Sequence, residues 1–577
     1  MGRDGILTVA IKRVWTTLIN LDLPIWAYGL LLYCSSLAIT GYNVYFSNQA
    51  LQLPLVALLN DPSLYPNDPF AATLPYYASM LWRLVALLSR LVPLESLLLG
   101  LFIIERALVI YAAGYLAYHL GHGSRLAVVG GMAFFSLAPS PLLGGGTLVT
   151  SYLEQTGLSI PFFLLSIAAF HADHPIHWAL MLSIGLNLNS MYGMYALTYF
   201  AAAFLLDASY RTRWKSWGAA TGLLAGLASP AIVLTASAFG RTPASNDLWL
   251  AASWARFPHH LYPLTWSKLA FAEYTVLLFL IVALLYQTRE KNRKLFTHGI
   301  VWTGVNVMWL LYAFVAAYVI PSPSMLVMQP ARGTDLWYCF AGTTLISSCA
   351  AVPESEENRI LSAIALFASI FFWRPPPSLF IIVGLMVLAW RPAWERVLHK
   401  GQAHRISLVL VLLILIRGGY SSWQRFRTSG AFFEVPPNPQ VKAVAAWAGS
   451  ATNAEATFLV DPLWEEFRAI SKRPVFVTWK DGSAILWDRS FVMDWVSRLS
   501  ALGLDITQTS PRGRDYQAEL GRLYADLDDD KVKTMMARFR LHYWVVPQEH
   551  TSAFPVVFQT DMFKVLGLRD GEDSDPG

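Results

Sequence analysis

Charge is what this chain lacks. Of its 577 residues only 14% are Asp, Glu, Lys or Arg, against about 25% in a soluble globular domain. A deficit of that size excludes a nucleic-acid-binding protein, a disordered chain and an ordinary cytosolic enzyme. Cysteine is also scarce. Cys34, Cys339 and Cys349 each fall in an apolar run, with no Cys-x-x-Cys pair, which leaves neither a disulfide framework nor a zinc knuckle. The Walker phosphate loop, the dinucleotide fingerprint, His-Glu-x-x-His and Gly-x-Ser-x-Gly are missing too. Gly144-Gly145-Gly146 has no Lys-Ser/Thr after it and reads as a hinge or a close-packing site. What is plentiful is apolar. The chain is 55% hydrophobic, with 22 Trp, 25 Tyr and 32 Phe, and its mean hydropathy is +0.43. That composition predicts a polytopic α-helical membrane protein with aromatic belts at both interfaces.

Apolar runs long enough to span lie at 24–46, 96–119, 126–148, 216–238, 269–288 and 299–320. Shorter ones lie at 159–170, 176–190, 191–206, 336–352, 360–373, 378–390 and 406–417. Together they predict about thirteen crossings. The short runs contain or abut Pro161, Pro175, Asn187, Asn189, Gly193 and Pro375 to Pro377. Irregular backbone at membrane depth survives only where protein or a wet cavity covers it, so 159–206 is a candidate cavity wall. Arg3, Lys12 and Arg13 among Ile6, Leu7, Val9, Ile11, Val14 and Trp15 predict a basic amphipathic helix rather than a cleavable signal.

Lys and Arg in the short loops set the orientation. They concentrate at Arg211, Arg213 and Lys215, at Arg289 to Lys294, and at Arg391 to Arg405. With thirteen or so crossings these loops share the side of the basic N-terminus, which is therefore cytoplasmic. Glu354, Glu356 and Glu357 fall on the same side, but acidic residues carry little topological weight. The outer loops 47–95 and 238–268 then belong to a transmembrane unit, residues 1–420. Residues 421–577 form a soluble extracytoplasmic domain. There, β-like runs at 456–460, 474–479, 543–547, 555–559 and 563–568 alternate with helical patterns at 439–448, 487–502 and 514–539, which predicts a small α/β fold. The last eight residues read as an acidic, frayed tail.

The polar residues that stand out gather in the outer loops. The first reads Asn60-Asp61-Pro62-Ser-Leu-Tyr65-Pro66-Asn67-Asp68-Pro69-Phe70. Asx-Pro steps initiate turns, and a Pro-stiffened segment can hold Asp61 or Asp68 as a general base over a membrane cavity. Both could equally be turn formers. A helix over 75–92 follows and presents Arg83 and Arg90 to lipid phosphates. The second loop reads Arg256-Phe-Pro258-His259-His260-Leu-Tyr262, a fork and two imidazoles suited to an anion. Arg332, after Gln329-Pro330, sits at another outer mouth and can meet phosphate or simply the interface. Glu105-Arg106 lies in the second span, where an ionised group costs about 2.5–3.5 kcal/mol and demands partners or a cavity. No cofactor motif is present. A divalent metal ion is the one cofactor the ligand types allow, and it would need Asp61 or Asp68 beside the histidines. His171-Ala-Asp173-His174-Pro175-Ile-His177 is proline-broken and reads as a cytoplasmic interfacial loop.

The layout resembles the GT-C superfamily of membrane glycosyltransferases, and within it a set of bacterial proteins. The resemblance rests on Asp61-Pro62-Ser-Leu-Tyr65-Pro66-Asn67-Asp68, on Arg256-Phe-Pro258-His259-His260, and on Phe467-Arg468-Ala-Ile-Ser471-Lys-Arg473-Pro-Val-Phe-Val-Thr-Trp479-Lys480. It implies a protein of the bacterial cytoplasmic membrane that takes a sugar from a polyprenyl-phosphate donor to an acceptor on the extracytoplasmic side. It implies a functional acid in the first outer loop, matched by Asp61 or Asp68. It also implies donor contacts from Arg256, His259, His260 and Arg332, with membrane lipids as further partners; Tyr65, Glu105 and Arg106 are further substrate-binding candidates. The first loop departs from the superfamily by having no adjacent acidic pair, and which of the two carboxylates acts stays open. A fixed cationic site would stabilise the departing phosphate, and one base without a strong acid suits an inverting single displacement. Two other readings use the same scaffold: a transporter or lipid flippase, and a non-catalytic assembly protein.

Overall fold

The computed structural model describes residues 23–138, 143–350 and 402–568, apart from residues 145, 147, 241, 243, 244, 291, 436 and 508–512. The expected N-terminal amphipathic helix, the runs at 360–373 and 378–390, the acidic loop around Glu354, most of the basic stretch from Arg391 and the acidic tail lie outside the described residues.

The membrane part is built from α1 (Ile25–Thr40), α2 (Gln49–Asn60), α3 (Met80–Leu88), α4 (Leu94–Leu120), α5 (Arg125–Ser136), α6 (Gln155–His171), α7 (Pro175–Leu188), α8 (Ser190–Leu206), α9 (Trp214–Leu227), α10 (Ser229–Phe239), α11 (Asn246–Arg256), α12 (Lys268–Thr288), α13 (Arg293–Phe314), α14 (Thr334–Ala350) and α15 (Gln402–Ser429). Local chemistry sets several starts. The side chains of Ser124, Asn189 and Asn292 cap α5, α8 and α13, and Pro175 opens α7 where its missing N–H costs nothing.

Only four described helical stretches are long and apolar enough to cross a membrane: Leu94–Leu120, Lys268–Tyr286, Arg293–Val319 and Ser407–Ser429. α9 and α10, bent by 58° at Ala228, make a fifth if taken as one span. The expected count of about thirteen is therefore not met. The apolar runs at 24–46, 126–148, 159–170, 176–190 and 191–206 become helices of 10–17 residues. Pro175, Asn189 and the turn at Leu137 cut them below spanning length. Their buried faces form one core, centred on Tyr28, Phe134, Phe163, Tyr195, Trp217 and Trp337.

One end of the bundle collects the basic loops. Asp173 accepts Arg213 at 2.8 Å and Lys294 at 2.6 Å, and Asn292 meets His122 at 3.2 Å. The 17 residues of α6 separate that end from Glu154 by about 25 Å. At Glu154's end the connecting segments are stitched to the C-terminal domain. β1 (Tyr42–Asn43) pairs in parallel with β2 (Glu434–Val435), joining the exit of α1 to the exit of α15. α3 is shorter than the expected 75–92 helix. Its Arg83 is spent on the carbonyls of Pro75, Tyr77 and Ser79, and Arg90 on Asn60 and Leu59.

The C-terminal domain is α/β. It comprises α16 (Pro439–Ala451), β3 (Phe458–Leu459), α17 (Val492–Leu502), α18 (Gly513–Ala525), α19 (Asp529–Phe539), β4 (Tyr543–Pro547), β5 (Val556–Gln559) and β6 (Phe563–Gly567). The sheet order is β3-β4-β6-β5, with β3 parallel to β4 and the other pairs antiparallel. The run at 474–479 forms a single bridge, Val475 to Phe458, and then 3₁₀ turns over Lys480–Leu486. The helix expected over 514–539 divides where Asp528 caps α19.

Candidate functional site

A cavity of about 290 Å³ lies where the ends of the helices remote from the basic loops meet the C-terminal domain. Four elements supply its charged groups. Glu154 comes from the segment entering α6. Arg256, His259 and His260 come from the end of α11 and the turn after it. Gln329 and Arg332 come from the loop entering α14. Lys480, Ser483, Trp487 and Arg489 come from the C-terminal domain. Asn48, Tyr77, Thr156, Asn189, Met191 and Met194 complete the wall from the bundle side, with Thr235 and Ala238 of α10. The run 159–206, expected as a cavity wall, contributes through Asn189, Ser190, Met191 and Met194.

The cations are held in place but not used up. Arg256 donates from Nη2 to Ser483 Oγ at 3.1 Å and lies over the rings of Phe257 and Trp479. Its Nε has no hydrogen-bond partner among the described residues. Burial pulls the Arg256 pKa down to about 10, against the pull of Glu465 and Asp481. Arg332 stacks on Tyr192 and donates to its hydroxyl at 3.1 Å, and its Nε stays 3.8 Å from Asp335. Tyr192 in turn donates to Asp335. A side chain at Gly146 would place its Cβ 2.6 Å from that carboxylate, so the bare backbone there is what admits Asp335. Lys480 approaches Glu465 only to 4.0 Å, and burial lowers its pKa.

The histidines are kept neutral. Their rings lie 4.0 Å apart. His260 places Nδ1 2.5 Å from the Gly144 carbonyl, so Nδ1 carries the proton and Nε2 the lone pair. Burial, then Arg256, Arg332 and Lys480, push His259 down to about 4. Burial and the neighbouring His259 push His260 well below the ordinary range. One carboxylate faces this field. Glu154 accepts from Asn48 at 2.7 Å. Burial raises its pKa, and the attraction of Arg332 and the Asn48 hydrogen bond only partly oppose that. It occupies the N-cap position of α6 without capping it, which leaves the carboxylate to the cavity while the helix dipole favours its charge.

The structure thus brings together Arg256, His259, His260 and Arg332 and leaves out the other five candidates. Asp68 is 4% exposed and fully engaged. Oδ1 accepts from the amides of Phe70 and Ala71, and Oδ2 from Arg468 Nε at 2.8 Å and the Val475 amide at 3.3 Å. Asp61 sits on the surface, where Oδ1 accepts from the amide and hydroxyl of Ser63, and those bonds lower its pKa. Tyr65, at φ +58°, reaches the Arg468 carbonyl at 3.3 Å. Arg106 lies over Phe102 and donates to the Thr150 carbonyl at 2.5 Å. Glu105 packs against α6 so closely that a Cβ on Gly157 would come within 2.3 Å of it. None of these five lines the cavity. The expected gathering of a first-loop carboxylate with later cations is corrected accordingly: the cations converge, and the acid among them is Glu154. Among the described residues, no group of three or more His, Cys, Asp or Glu is arranged to hold a metal ion.

Sequence reasoning did not single out Glu154, Lys480 or Arg489, which line the cavity. Lys480 closes one of the motifs quoted above, and Glu154 is a lone acid at the mouth of an apolar run. Both signals are weak without knowledge of the partner segments.

Comparison with known proteins adds outline. A family model described as Domain of unknown function (DUF6798) matches residues 439–502. A search of curated proteins returns no match. Among solved structures, the chain is similar to the Archaeoglobus fulgidus oligosaccharyltransferase tethered to an acceptor peptide, at 10% identity and a TM-score of 0.44, over 91% of this chain and 69% of that one. It is also similar to the same organism's oligosaccharyltransferase AglB with an inhibitory peptide and a dolichol-phosphate, at 11% and 0.41, over the same shares. A third similarity is to ArnT from Cupriavidus metallidurans bound to undecaprenyl phosphate, at 12% and 0.39, over 94% of this chain and 97% of that one. At TM-scores below 0.5 these likenesses assign no residue of the cavity.

Proposed function

We propose that the protein is an integral-membrane glycosyltransferase that moves a sugar from a polyprenyl-phosphate donor to an acceptor, on the side of the membrane remote from the basic loops. One observation carries the reading. A cavity at the membrane-facing end of the C-terminal domain holds buried cations with unspent donors, and these face a single buried carboxylate of raised pKa.

Arg256, Lys480 and Arg332 bind the phosphate and stabilise the charge that grows on it as the sugar bond breaks. His259, neutral in the free site, donates its one ring N–H to the anion, whereas His260, whose Nδ1 proton is held by the Gly144 carbonyl, accepts from a sugar hydroxyl at Nε2. Glu154 takes the proton of the acceptor hydroxyl as that oxygen attacks the anomeric carbon. With the phosphate as leaving group no strong acid is required, so the displacement is single and inverts the anomeric centre. The charge bias of the loops and the length of α6 between them and the cavity support an extracytoplasmic position for it.

A lipid flippase is the second reading. It is favoured by the 58° break between α9 and α10, because α10 reaches the cavity through Thr235 and Ala238. Purified full-length protein in nanodiscs, supplied with polyprenyl-phosphate sugars and with glycan or peptide acceptors, decides between them. Turnover in wild type that is lost in Glu154→Gln supports transfer. Lipid movement across the bilayer with the sugar bond intact supports the flippase. Turnover unchanged in both Glu154→Gln and Arg256→Met overturns the assignment of this cavity.

A further inference from the structure

We infer that the C-terminal domain is one half of the binding site rather than an appended module, and that Asp68, Arg468 and Asp481 are positioning residues that set that half against the bundle. The inference rests on the cavity being the ligand site, as proposed above, and not on the reaction performed there.

The observations form a continuous chain. Asp68, on the first outer loop, binds Arg468 Nε at 2.8 Å and the Val475 amide at 3.3 Å. Arg468 turns the other edge of its guanidinium to Asp481, with contacts of 2.6 and 2.9 Å. All three side chains are 1–3% exposed. Asp481 also accepts from the amide and hydroxyl of Thr478, at 2.9 and 2.8 Å. That closes the first turn of the 3₁₀ segment Lys480–Leu486. From this turn Lys480 and Ser483 face the cavity, and Ser483 is the hydrogen-bond partner of Arg256. Tyr65 adds a second link from the outer loop to Arg468 through its carbonyl. A bidentate fork with both carboxylates saturated has one geometry, so it fixes orientation as well as proximity. A shift of about 1 Å in a binding group is enough to lose most of its effect.

This gives Asp68 a role that is neither catalysis nor a simple turn. Its charge is spent on Arg468, and its effect reaches the ligand through Lys480, Ser483 and Arg256. It also explains why two of the three sequence blocks that carry the resemblance, Asp61 to Asp68 and Phe467 to Lys480, lie 400 residues apart along the chain and yet meet.

The test uses full-length protein in nanodiscs and undecaprenyl phosphate as probe, with Asp61→Asn as control. Hydrogen exchange comes first, because it does not depend on the ligand. Asp68→Asn should speed exchange of peptides covering 478–489 at least tenfold while peptides of α4 and α13 exchange as in wild type. Binding comes second. Lys480→Met should weaken the probe about tenfold in wild type and less than twofold in the Asp68→Asn background, because displaced Lys480 has little left to lose. Asp68→Glu, which keeps the charge, should restore part of the protection. Unchanged exchange at 478–489 in Asp68→Asn overturns the inference, and so does a full additive loss in the double variant. If Asp68→Asn does not fold, Arg468→Lys, which keeps the charge but not the fork, is read by the same two measurements. Absence of probe binding in wild type counts against the proposed function alone and leaves the exchange result to decide the positioning role.

Discussion

Arg468 and Arg256 are both buried arginines at the junction of bundle and C-terminal domain, and the chain treats them in opposite ways. Arg468 has two carboxylates and a carbonyl around its fork. Arg256 has a serine hydroxyl, two aromatic faces and an Nε with no partner among the described residues. A buried polar group is ordinarily satisfied. Where one cation is saturated and its neighbour is not, the first belongs to the architecture and the second has a donor that the described residues leave free for a ligand. The same contrast separates Asp68, which accepts four hydrogen bonds, from Glu154, which accepts one.

The contrast breaks most visibly in stability. Arg468→Met strands Asp68 and Asp481 in a dry interface, and removing one partner of a buried ion pair costs about 3–5 kcal/mol. Denaturant or thermal unfolding of the purified protein should show a loss of that size. Arg256→Met removes a cation with no carboxylate partner and should unfold with wild type. A loss in Arg256→Met as large as in Arg468→Met would erase the distinction.

Activity should reverse that order. Glu154→Gln should lower turnover about 10²–10⁴-fold, the range for loss of a general base, with folding intact because the amide resembles the neutral form that burial favours. The sign of the pH dependence follows. Burial raises Glu154's pKa, so a base working there loses its charge at a higher pH than an exposed glutamate. The acid limb of the rate profile should sit above the ordinary carboxylate range and vanish in the variant. A limb that survives in Glu154→Gln assigns the base elsewhere.

Binding sharpens the contrast further. A charge-assisted hydrogen bond is worth about 1.5–3 kcal/mol, so Arg256→Met should weaken undecaprenyl phosphate roughly 10–100-fold. His259 adds a pH signature. Free, it is neutral above about 4. A bound phosphate pulls that value up, so binding takes up a proton and tightens as pH falls from neutral toward about 4. His259→Gln should flatten the profile, which titration calorimetry in two buffers of different ionisation enthalpy would read.

Sequence pattern reached some of this and not the rest, for physical reasons. The α/β domain was readable because short runs of β-branched and aromatic residues, such as Tyr543 to Pro547 and Phe563 to Gly567, are interleaved with helical patterns and α19 carries its own cap. Arg256, His259, His260 and Arg332 line one cavity, and what singled them out in the sequence was their place in aromatic, Pro-rich loops. The number of spans was not readable, because the helices after Ser124, Glu154 and Asn189 are apolar but too short to cross. Hydropathy does not distinguish a short buried helix from a span. Glu154 was hidden because a single acid beside an apolar run has no local signature. Asp68 misled because a carboxylate in a Pro-stiffened loop looks the same whether its partner is a substrate or Arg468, 400 residues away.

Asp61 closes the scale from the exposed side. It lies seven residues from Asp68 in the same Pro-rich loop, yet it is fully exposed and holds only Ser63. Those bonds lower its pKa, so their contribution is present above the unfolded carboxylate's pKa and disappears as pH falls through the folded value. Solvent screening keeps it small. Asp61→Asn keeps an oxygen for the turn, and it should change neither unfolding, nor probe affinity, nor turnover. Should Asp61→Asn abolish turnover while leaving the fold intact, saturation and burial would be poor guides to which carboxylate in this loop acts. The contrast between Arg468 and Arg256 would then have to be rebuilt on other grounds.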